Sequence, residues 1–431
     1  MKAREIERFR LKLEAFLADV VLPMGRKERG QHAEEYVRGL LMDGERKSIE
    51  PMANRLPDGD VQALQQFVNQ SPWPSGEVRA CLARKVEREF VPEAYWLIDE
   101  VSLPKQGKHS VGVARQYCGA LGKIANCQVG VSLDLGTEES STPLNWALYL
   151  PRQWVDDSVR RKKAGIPEEI TFKTKTALAL DLIDEVKGWG LQGRLVLADS
   201  AYGDAYEFRQ GLRSRELDYV VQVCGDLTAW TEDPHPAEPP MKGGGRIHRK
   251  RLYAKELPPR RSLCQIAKDL PSQSWKHITW REGTKGPLSS RFARVIVWMA
   301  NGLVQGRTTE VPREELLIEW PDGDKDPWRY WLSSLPPHRT SFRGLVRKAK
   351  GRFRIEQDYE EMKGELGLDH FEGRSWRGWH HHVTLVTLAY AFLMLERMAT
   401  KKNFWIDIAG CPPVDPEMVD AIHGHMSHLR K

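Results

Sequence analysis

Tyr95-Trp96-Leu97-Ile98-Asp99 is a short apolar run that ends on an acid, and further along Arg194-Leu195-Val196-Leu197-Ala198-Asp199 repeats the pattern. Runs of this length with β-branched and aromatic residues read as buried strands. If the two strands are neighbours, both carboxylates reach one rim of a sheet. Taken singly, either aspartate is more often a cap or turn residue, so the pair needs support from elsewhere in the chain.

Strand and helix signals surround both runs. Residues 127–135 alternate Gln128, Gly130 and Ser132 against Val129, Val131 and Leu133, and 144–150 is a second strand-like stretch. Helix is expected over 175–189 and 205–214, with a strand at 219–223. Before all of these, residues 1–90 carry apolar positions at helical spacing: Phe9, Leu13, Phe16, Leu17 and Val20, then Ala33, Tyr36, Val37, Leu40 and Leu41. This predicts a small all-α module. After residue 225 the composition shifts. Pro234, Pro236, Pro239 and Pro240 lead into Gly243-Gly244-Gly245, a loop. Short β-like pieces at 293–299 and 316–320 follow, in a stretch that holds seven of the fifteen tryptophans between 224 and 345. Helix returns near Lys350, and an apolar helix is expected over 379–398. The order fits an α/β chain with a mixed sheet of the ribonuclease H type, interrupted once. Five parts are expected: a helical module (1–90), the first part of the core (91–225), a β-rich, Trp-rich insertion (226–341), the second part of the core (342–400), and a tail (401–431).

Composition narrows the class. Of 431 residues, 41% are hydrophobic and 29% charged, a globular balance. The longest apolar run, 383–395, is well short of the roughly 20 residues of a membrane span, so no membrane association is expected. No apolar signal core follows Met1, and six scattered cysteines include no Cys-x-x-Cys pair, which points to a reduced cytoplasm without a zinc site. No G-x-x-x-x-G-K-[ST] pattern occurs, so no nucleotide cofactor is expected. Net charge is only +6, but it is concentrated. Residues 342–354 hold Arg343, Arg347, Lys348, Lys350, Arg352 and Arg354 with no acid; 241–261 includes Arg249, Lys250 and Arg251; and Arg160-Arg161-Lys162-Lys163 forms a third cluster. Any one cluster is as often plain solvated surface. Three that converge favour a polyanion.

The third acidic element lies in Arg352-Phe353-Arg354-Ile355-Glu356-Gln357-Asp358-Tyr359-Glu360-Glu361-Met362-Lys363. Ile355, Tyr359, Met362 and Leu366 form one helical stripe for burial. Arg352, Glu356 and Lys363 share another face, at spacings of 4 and 7. That face is either an i,i+4 salt-bridge pattern or a metal-ligating carboxylate between two phosphate-binding cations. Glu360 lies one turn beyond Glu356 and geometry alone does not exclude it. His380-His381-His382 point about 100° apart on a helix and cannot chelate one ion together; packing or DNA contact is the better reading.

These residues resemble a known family. Arg-x3-Glu-x6-Lys is similar to the tyrosine–arginine–glutamate–lysine signature in one branch of bacterial insertion-sequence transposases. Trp96-Leu97-Ile98-Asp99-Glu100, followed by the stretch 103–117, resembles the first-aspartate region of transposases of the DDE superfamily endonuclease type. Val196-Leu197-Ala198-Asp199-Ser200-Ala201-Tyr202-Gly203 is similar to the second-aspartate motif, and 364–382 resembles the stretch after the glutamate. The likeness runs from about residue 10 to 400. Two positions depart from the pattern: Ala349 stands where the signature has tyrosine, and Glu100 where relatives often carry Asp, so Glu100 receives no ligand role.

The resemblance implies a ribonuclease H-like fold whose triad is Asp99, Asp199 and Glu356, holding two Mg²⁺ ions, with Mn²⁺ able to substitute. Paired ions activate the attacking oxygen and stabilise the leaving one, and hard divalent cations take oxygen ligands. It also implies that Arg352 and Lys363 hold the scissile phosphate, with Lys348 or Lys350 in place of the missing tyrosine. Lys108, Arg115, Arg249, Lys250 and Arg251 are expected as further DNA-phosphate contacts. Double-stranded DNA (transposon ends and target) is the expected partner, a homodimer the expected synaptic assembly, and the nucleoid the expected location. Two other classes stay open: a catalytically silent DNA-binding regulator, against which three intact acids argue, and a nuclease without strand transfer.

Overall fold

The computed structural model of the chain describes residues 3–90, 94–234, 257–283, 286–302 and 311–408. The basic triplet Arg249, Lys250 and Arg251 and the glycine run 243–245 lie outside the described residues.

Helices α1 (Ala3–Val20), α2 (Lys27–Leu41), α3 (Ile49–Ala53), α4 (Val61–Asn69) and α5 (Ser75–Phe90) come first. The start of α4 is set by Asp60, whose carboxylate accepts from the N–H groups of Gln62 and Ala63. Strands β1 (Tyr95–Pro104), β2 (Ala114–Cys118), β3 (Lys123–Gly136) and β4 (Ser141–Leu148) follow. Then come α6 (Arg152–Val155), α7 (Ser158–Ala164), α8 (Lys175–Gly188), β5 (Leu195–Ala198), α9 (Ser200–Gly203), α10 (Tyr206–Ser214) and β6 (Asp218–Val223). The next stretch holds β7 (Thr228–Trp230), β8 (Arg261–Ser262), α11 (Leu263–Lys268), β9 (Lys276–Gly283), β10 (Gly286–Met299), β11 (Arg313–Glu319) and β12 (Arg329–Ser333). The described chain ends with α12 (Phe342–Gly351), α13 (Phe353–Gly364) and α14 (Trp376–Ile408).

All these strands belong to one mixed sheet in the order β2-β3-β1-β5-β6-β12-β11-β10-β7-β8, with β4 on β3 and β9 on β10. β1, β5 and β6 are mutually parallel, and β3 runs antiparallel to β1. The Trp-rich stretch makes no sheet of its own. Its strand β12 pairs with β6 (Tyr330 opposite Val223), so it extends the same sheet.

One core joins the layers. It runs from Leu13, Tyr36 and Leu64 of the first helices through Val131 and Val196 of the strands to Ile355 and Leu388. α14 is its axis, packing on α1, α2, α4, α5 and β4. A helix buried on all sides has no reason to be amphipathic. Residues Trp376–Thr400 are accordingly long and apolar enough to cross a membrane by length and composition, more than the 383–395 run implied, yet 61% of the most apolar window is buried against the rest of the protein.

Two boundaries differ from expectation in ways that matter for the site. β1 does not stop at Asp99: the long β3 keeps supplying ladder partners as far as Cys127, which faces Pro104. The helix expected to run through Lys350 and Arg352 is broken there. α12 ends at Gly351 and α13 begins at Phe353, with Arg352 as the joint. The break lies tight against the sheet: a Cβ on Gly351 would sit 2.8 Å from the Tyr95 hydroxyl, so only glycine lets the junction approach β1 this closely.

Candidate active site

The parallel pairing of β1 with β5 sets Ile98 opposite Ala198. The next residue on each strand is an aspartate, so Asp99 and Asp199 emerge side by side. Asp199 leaves its strand at once and caps α9, accepting from the Ala201 N–H at 3.0 Å. Asp99 stays in the ladder. Its Oδ1 accepts from the Glu100 N–H at 2.8 Å, and its Oδ2 accepts from Arg352 Nη1 at 2.6 Å. The other arm of the same guanidinium, Nη2, donates to Glu356 Oε1 one turn along α13. Arg352 therefore bridges the β1 aspartate and the α13 glutamate. The sequence separation of 253 residues between Asp99 and Arg352 shows what the fold contributes.

Burial and like charge set the electrostatics. Asp99 is 7% exposed. Desolvation pushes its carboxyl up to about 7; Arg352 opposes that and Asp199 reinforces it. Asp199 is raised too, by burial first, with Arg352 pulling down and Glu100 pushing up. Glu356 is the open member, with 48% of its side chain exposed. The three side chains carry hard oxygen donors, the type that a divalent cation such as magnesium takes. Among the described residues no group of three carboxylates is gathered into a ready-made cage. The Arg352 guanidinium stands between Asp99 and Glu356 instead.

The remaining predicted residues divide clearly. Lys363, in the last turn of α13, is half-buried, and its ammonium pKa is lowered by desolvation, with Asp369 opposing. Lys108 and Arg115 are exposed, and Lys348 is half-buried in the last turn of α12. Lys350 is turned inward. Its ammonium is 2.6 Å from Glu319 Oε2 with only 12% of the side chain exposed. It also sits 4.6 Å from the Trp280 ring, 5.3 Å from Trp331, 5.7 Å from Phe292 and 5.8 Å from Trp328. A cation enclosed by rings and paired with a carboxylate cannot also hold a phosphate. The structure thus gives Lys350 a different task from the one read in the sequence: it locks the end of α12 onto the Trp-rich half of the sheet, two residues before Arg352. In the third basic cluster, Arg160 stacks on Trp154 at 3.8 Å, and Arg161 donates to the carbonyl oxygens of Ile170 and Pro167, both at 2.7 Å. His381 and His382 are buried, which fits packing, one of the two readings left open for the histidine run.

A polar layer beneath the aspartates was missed. Ser132 lies opposite Asp99 on β3, and its hydroxyl bonds Asp134. The Tyr359 hydroxyl meets Ser132 Oγ at 2.8 Å, and Tyr390 donates to Asp358 Oδ1 at 2.8 Å. Desolvation raises Asp134 well above the usual carboxylate range and Asp358 to about 7. Two adjacent residues of α13 are in this way tied by hydrogen bonds to β3 and α14, which fixes the roll of the helix that carries Glu356. A signal existed: Asp358 is at i+3 from Ile355, inside the apolar stripe, where an acid has to be buried.

Comparison with known proteins places the chain. The family described as DDE superfamily endonuclease matches residues 19–287, more than half of the length, and the chain belongs to that family. The match contains Asp99 and Asp199; α13 lies beyond its end. Among curated relatives, the "Probable transposase for insertion sequence element IS701" of Microchaete diplosiphon is 30% identical over 187 residues, 43% of this chain and 46% of the relative. The chain thus matches a little under half the length of that relative. Among solved structures, the piggyBac transposase synaptic complex with hairpin DNA aligns with 88% of this chain and 68% of its own, at 12% identity and a TM-score of 0.40.

Proposed function

We propose that the protein is a DNA transposase that binds the terminal inverted repeats of an insertion sequence, cuts at the ends and transfers the strands to target DNA. The observation that carries this reading is the bridge through Arg352, which draws Asp99 of β1 and Glu356 of α13 together beside Asp199. The central order β3-β1-β5-β6, with the last three parallel, is consistent with a ribonuclease H-like core. Its expected divisions are a helical DNA-binding module (1–90), a split core (91–225 and 342–400), a Trp-rich insertion (226–341) and a tail (401–431).

Asp99, Asp199 and Glu356 would hold two Mg²⁺ ions, which supply activation of the attacking oxygen and stabilisation of the leaving one. The chain's own residues do the rest. Glu356, exposed and on a helix pinned by Asp358 and Tyr359, can swing its carboxylate between Arg352 and the catalytic position. Arg352 has the fork geometry to grip a phosphate through two N–H groups. Lys363 adds a point charge from the far end of α13. The first helices would read end sequences in the major groove. Synapsis of two ends calls for a homodimer on DNA, and such an enzyme works in the cytoplasm at the nucleoid.

Purified protein incubated with Mg²⁺ and a duplex carrying the element ends tests the reading. Cleaved and joined products are expected. Cleavage without joining identifies a nuclease, and binding without cleavage a silent regulator; either result overturns the assignment.

A further inference from the structure

The hairpin of β2 and β3 carries three of the exposed large hydrophobic side chains in the described protein within eight residues: Tyr117 at 62%, Leu121 at 48% and Ile124 at 62%. Tyr117 and Ile124 face each other across the hairpin, and Leu121 sits in the single 3-10 turn between the strands. The opposite side of the hairpin is anchored: Cys118 and Cys127 are fully buried, packed with Val129. The apolar tip is therefore held rigidly outward. β2 is also the terminal strand of the sheet order, a position where proteins usually blunt an apolar surface with charge or cover.

Two further observations say what it meets. The Gly119 N–H donates to Ser102 Oγ at 3.1 Å, so the tip folds back over β1 only three residues, about 10 Å of strand, from Asp99. From Val101 to Leu133 the chain has no acid, while Lys105, Lys108, Arg115 and Lys123 are all basic. Lys105 is turned inward to the carbonyl oxygens of Asp369 and Phe371, at 2.9 and 2.7 Å. Arg115 and Lys123 are exposed on the hairpin itself, and Lys108 is exposed in the loop before β2. A second copy docked by two-fold symmetry would set these cations against their own counterparts. A polyanion would be attracted.

We propose that the β2–β3 tip is an apolar wedge that lodges between base pairs of duplex DNA beside the scissile phosphate, with Arg115 and Lys123 on the flanking phosphates. Inserted Leu, Ile or other apolar side chains partly unstack a base step and kink the duplex, and the cost is recovered in the wider contact that the bend allows. The inference rests on the proposed action on DNA.

The test uses the full-length protein and two 40-base-pair probes (~40, a length chosen to span a bound site). One is fully paired; the other has a two-base bulge at its centre that removes much of the unstacking cost. The wild type is expected to bind the bulged probe about tenfold tighter. Combined Tyr117→Ser, Leu121→Ser and Ile124→Ser should erase that preference but leave the salt dependence of binding unchanged, because phosphate contacts set the salt slope. Leu121→Ser alone, on a side chain already half exposed, should lose part of it and guards against a folding defect. Equal binding of both probes by the wild type, or a preference kept by the triple variant, overturns the wedge. So does a triple variant that keeps the preference and loses self-association in sedimentation without DNA, which would make the tip a contact between copies. A wild type that binds neither probe overturns the DNA-acting function itself. A wild type that cuts end DNA but shows no preference removes only the wedge.

Discussion

Replacing Asp99 by Asn should disable the protein and stabilise its fold at the same time. Asp99 is 7% exposed and its carboxyl is pushed up to about 7, against 3.8 for the free side chain, mainly by burial. A raised carboxyl pKa means that folding disfavours the charged form. The group therefore contributes fully below its unfolded pKa of 3.8, and that contribution is lost as pH rises through about 7. The shift of about 3 units corresponds to an upper limit of about 4 kcal/mol lost by pH 8, at about 1.4 kcal/mol per unit. An asparagine does not titrate and never incurs this loss. It does give up the ion pair with Arg352, already counted among the causes that hold the shift down. For a chain of this size about 4 kcal/mol is roughly 4 °C in Tm. Melting curves with EDTA should thus show Asp99→Asn and wild type close together at pH 4, diverging by up to a few degrees at pH 8 with the variant higher. End cleavage in Mg²⁺ should be abolished, while end binding stays within a few-fold because phosphate contacts dominate affinity. A variant less stable than wild type at pH 8 would mean that the Arg352 pair outweighs burial, and the electrostatic account of the site would be wrong.

Asp199→Asn should likewise abolish cleavage and leave end binding within a few-fold; substantial cutting by it at saturating Mg²⁺ would remove Asp199 from the site. Glu356→Gln should eliminate cleavage and joining, whereas Glu360→Gln, exposed on the same helix, should keep most activity; the reverse pattern would shift the register of the third motif and take the roles of Arg352 and Lys363 with it. Replacing Arg249, Lys250 and Arg251 with Ala should weaken DNA binding and flatten the log–log salt slope by about 0.9 for each phosphate lost; an unchanged slope makes the triplet mere surface. His382 is fully buried. Its Nε2 faces the carbonyl oxygens of Gly367 and Leu368, so Nδ1 accepts from the Tyr36 hydroxyl at 2.9 Å. Desolvation lowers its pKa from 6.5 to about 3, so its stabilisation is complete above pH 6.5 and is lost as pH falls toward 3. Between pH 7 and 5 that amounts to about 2 kcal/mol, readable as a shallower pH slope in urea titrations of His382→Gln; parallel slopes would show that the ring charges freely in the fold.

The strands and helices were legible where one period dominates. Tyr95 to Ile98 and Leu195 to Ala198 are buried on both faces and read as apolar runs, and their parallel pairing put the two aspartates together as expected. β2 was not legible. Its five residues alternate buried and exposed with Tyr117 facing outward, so no apolar face marks it as a strand. The N-terminal helices were readable as helices, but their shared core with α14 was not, because apolar stripes tell which face is buried and nothing about the partner.

The site shows the same limit at the scale of single side chains. A run of cations between 342 and 354 gives their number, but direction depends on where the helix breaks. With the break at Gly351, Lys350 points into the Trp280, Phe292, Trp328 and Trp331 rings, Arg352 toward Asp99, and Arg354 toward the Glu138 carbonyl oxygen at 2.7 Å. Three residues that look equivalent in sequence thus become a clamp, a bridge and a cap. The spacing of Arg352 to Glu356 was correctly read as one helical turn, yet Arg352 belongs to the joint, and its aim at β1 follows from the close approach of Gly351 to Tyr95 and the grip on Lys350 just before it. The Trp-rich half of the sheet therefore bears on the acidic cluster through one short chain of contacts: Glu319 and the rings hold Lys350, Lys350 fixes the end of α12, and the joint that follows aims Arg352 at Asp99.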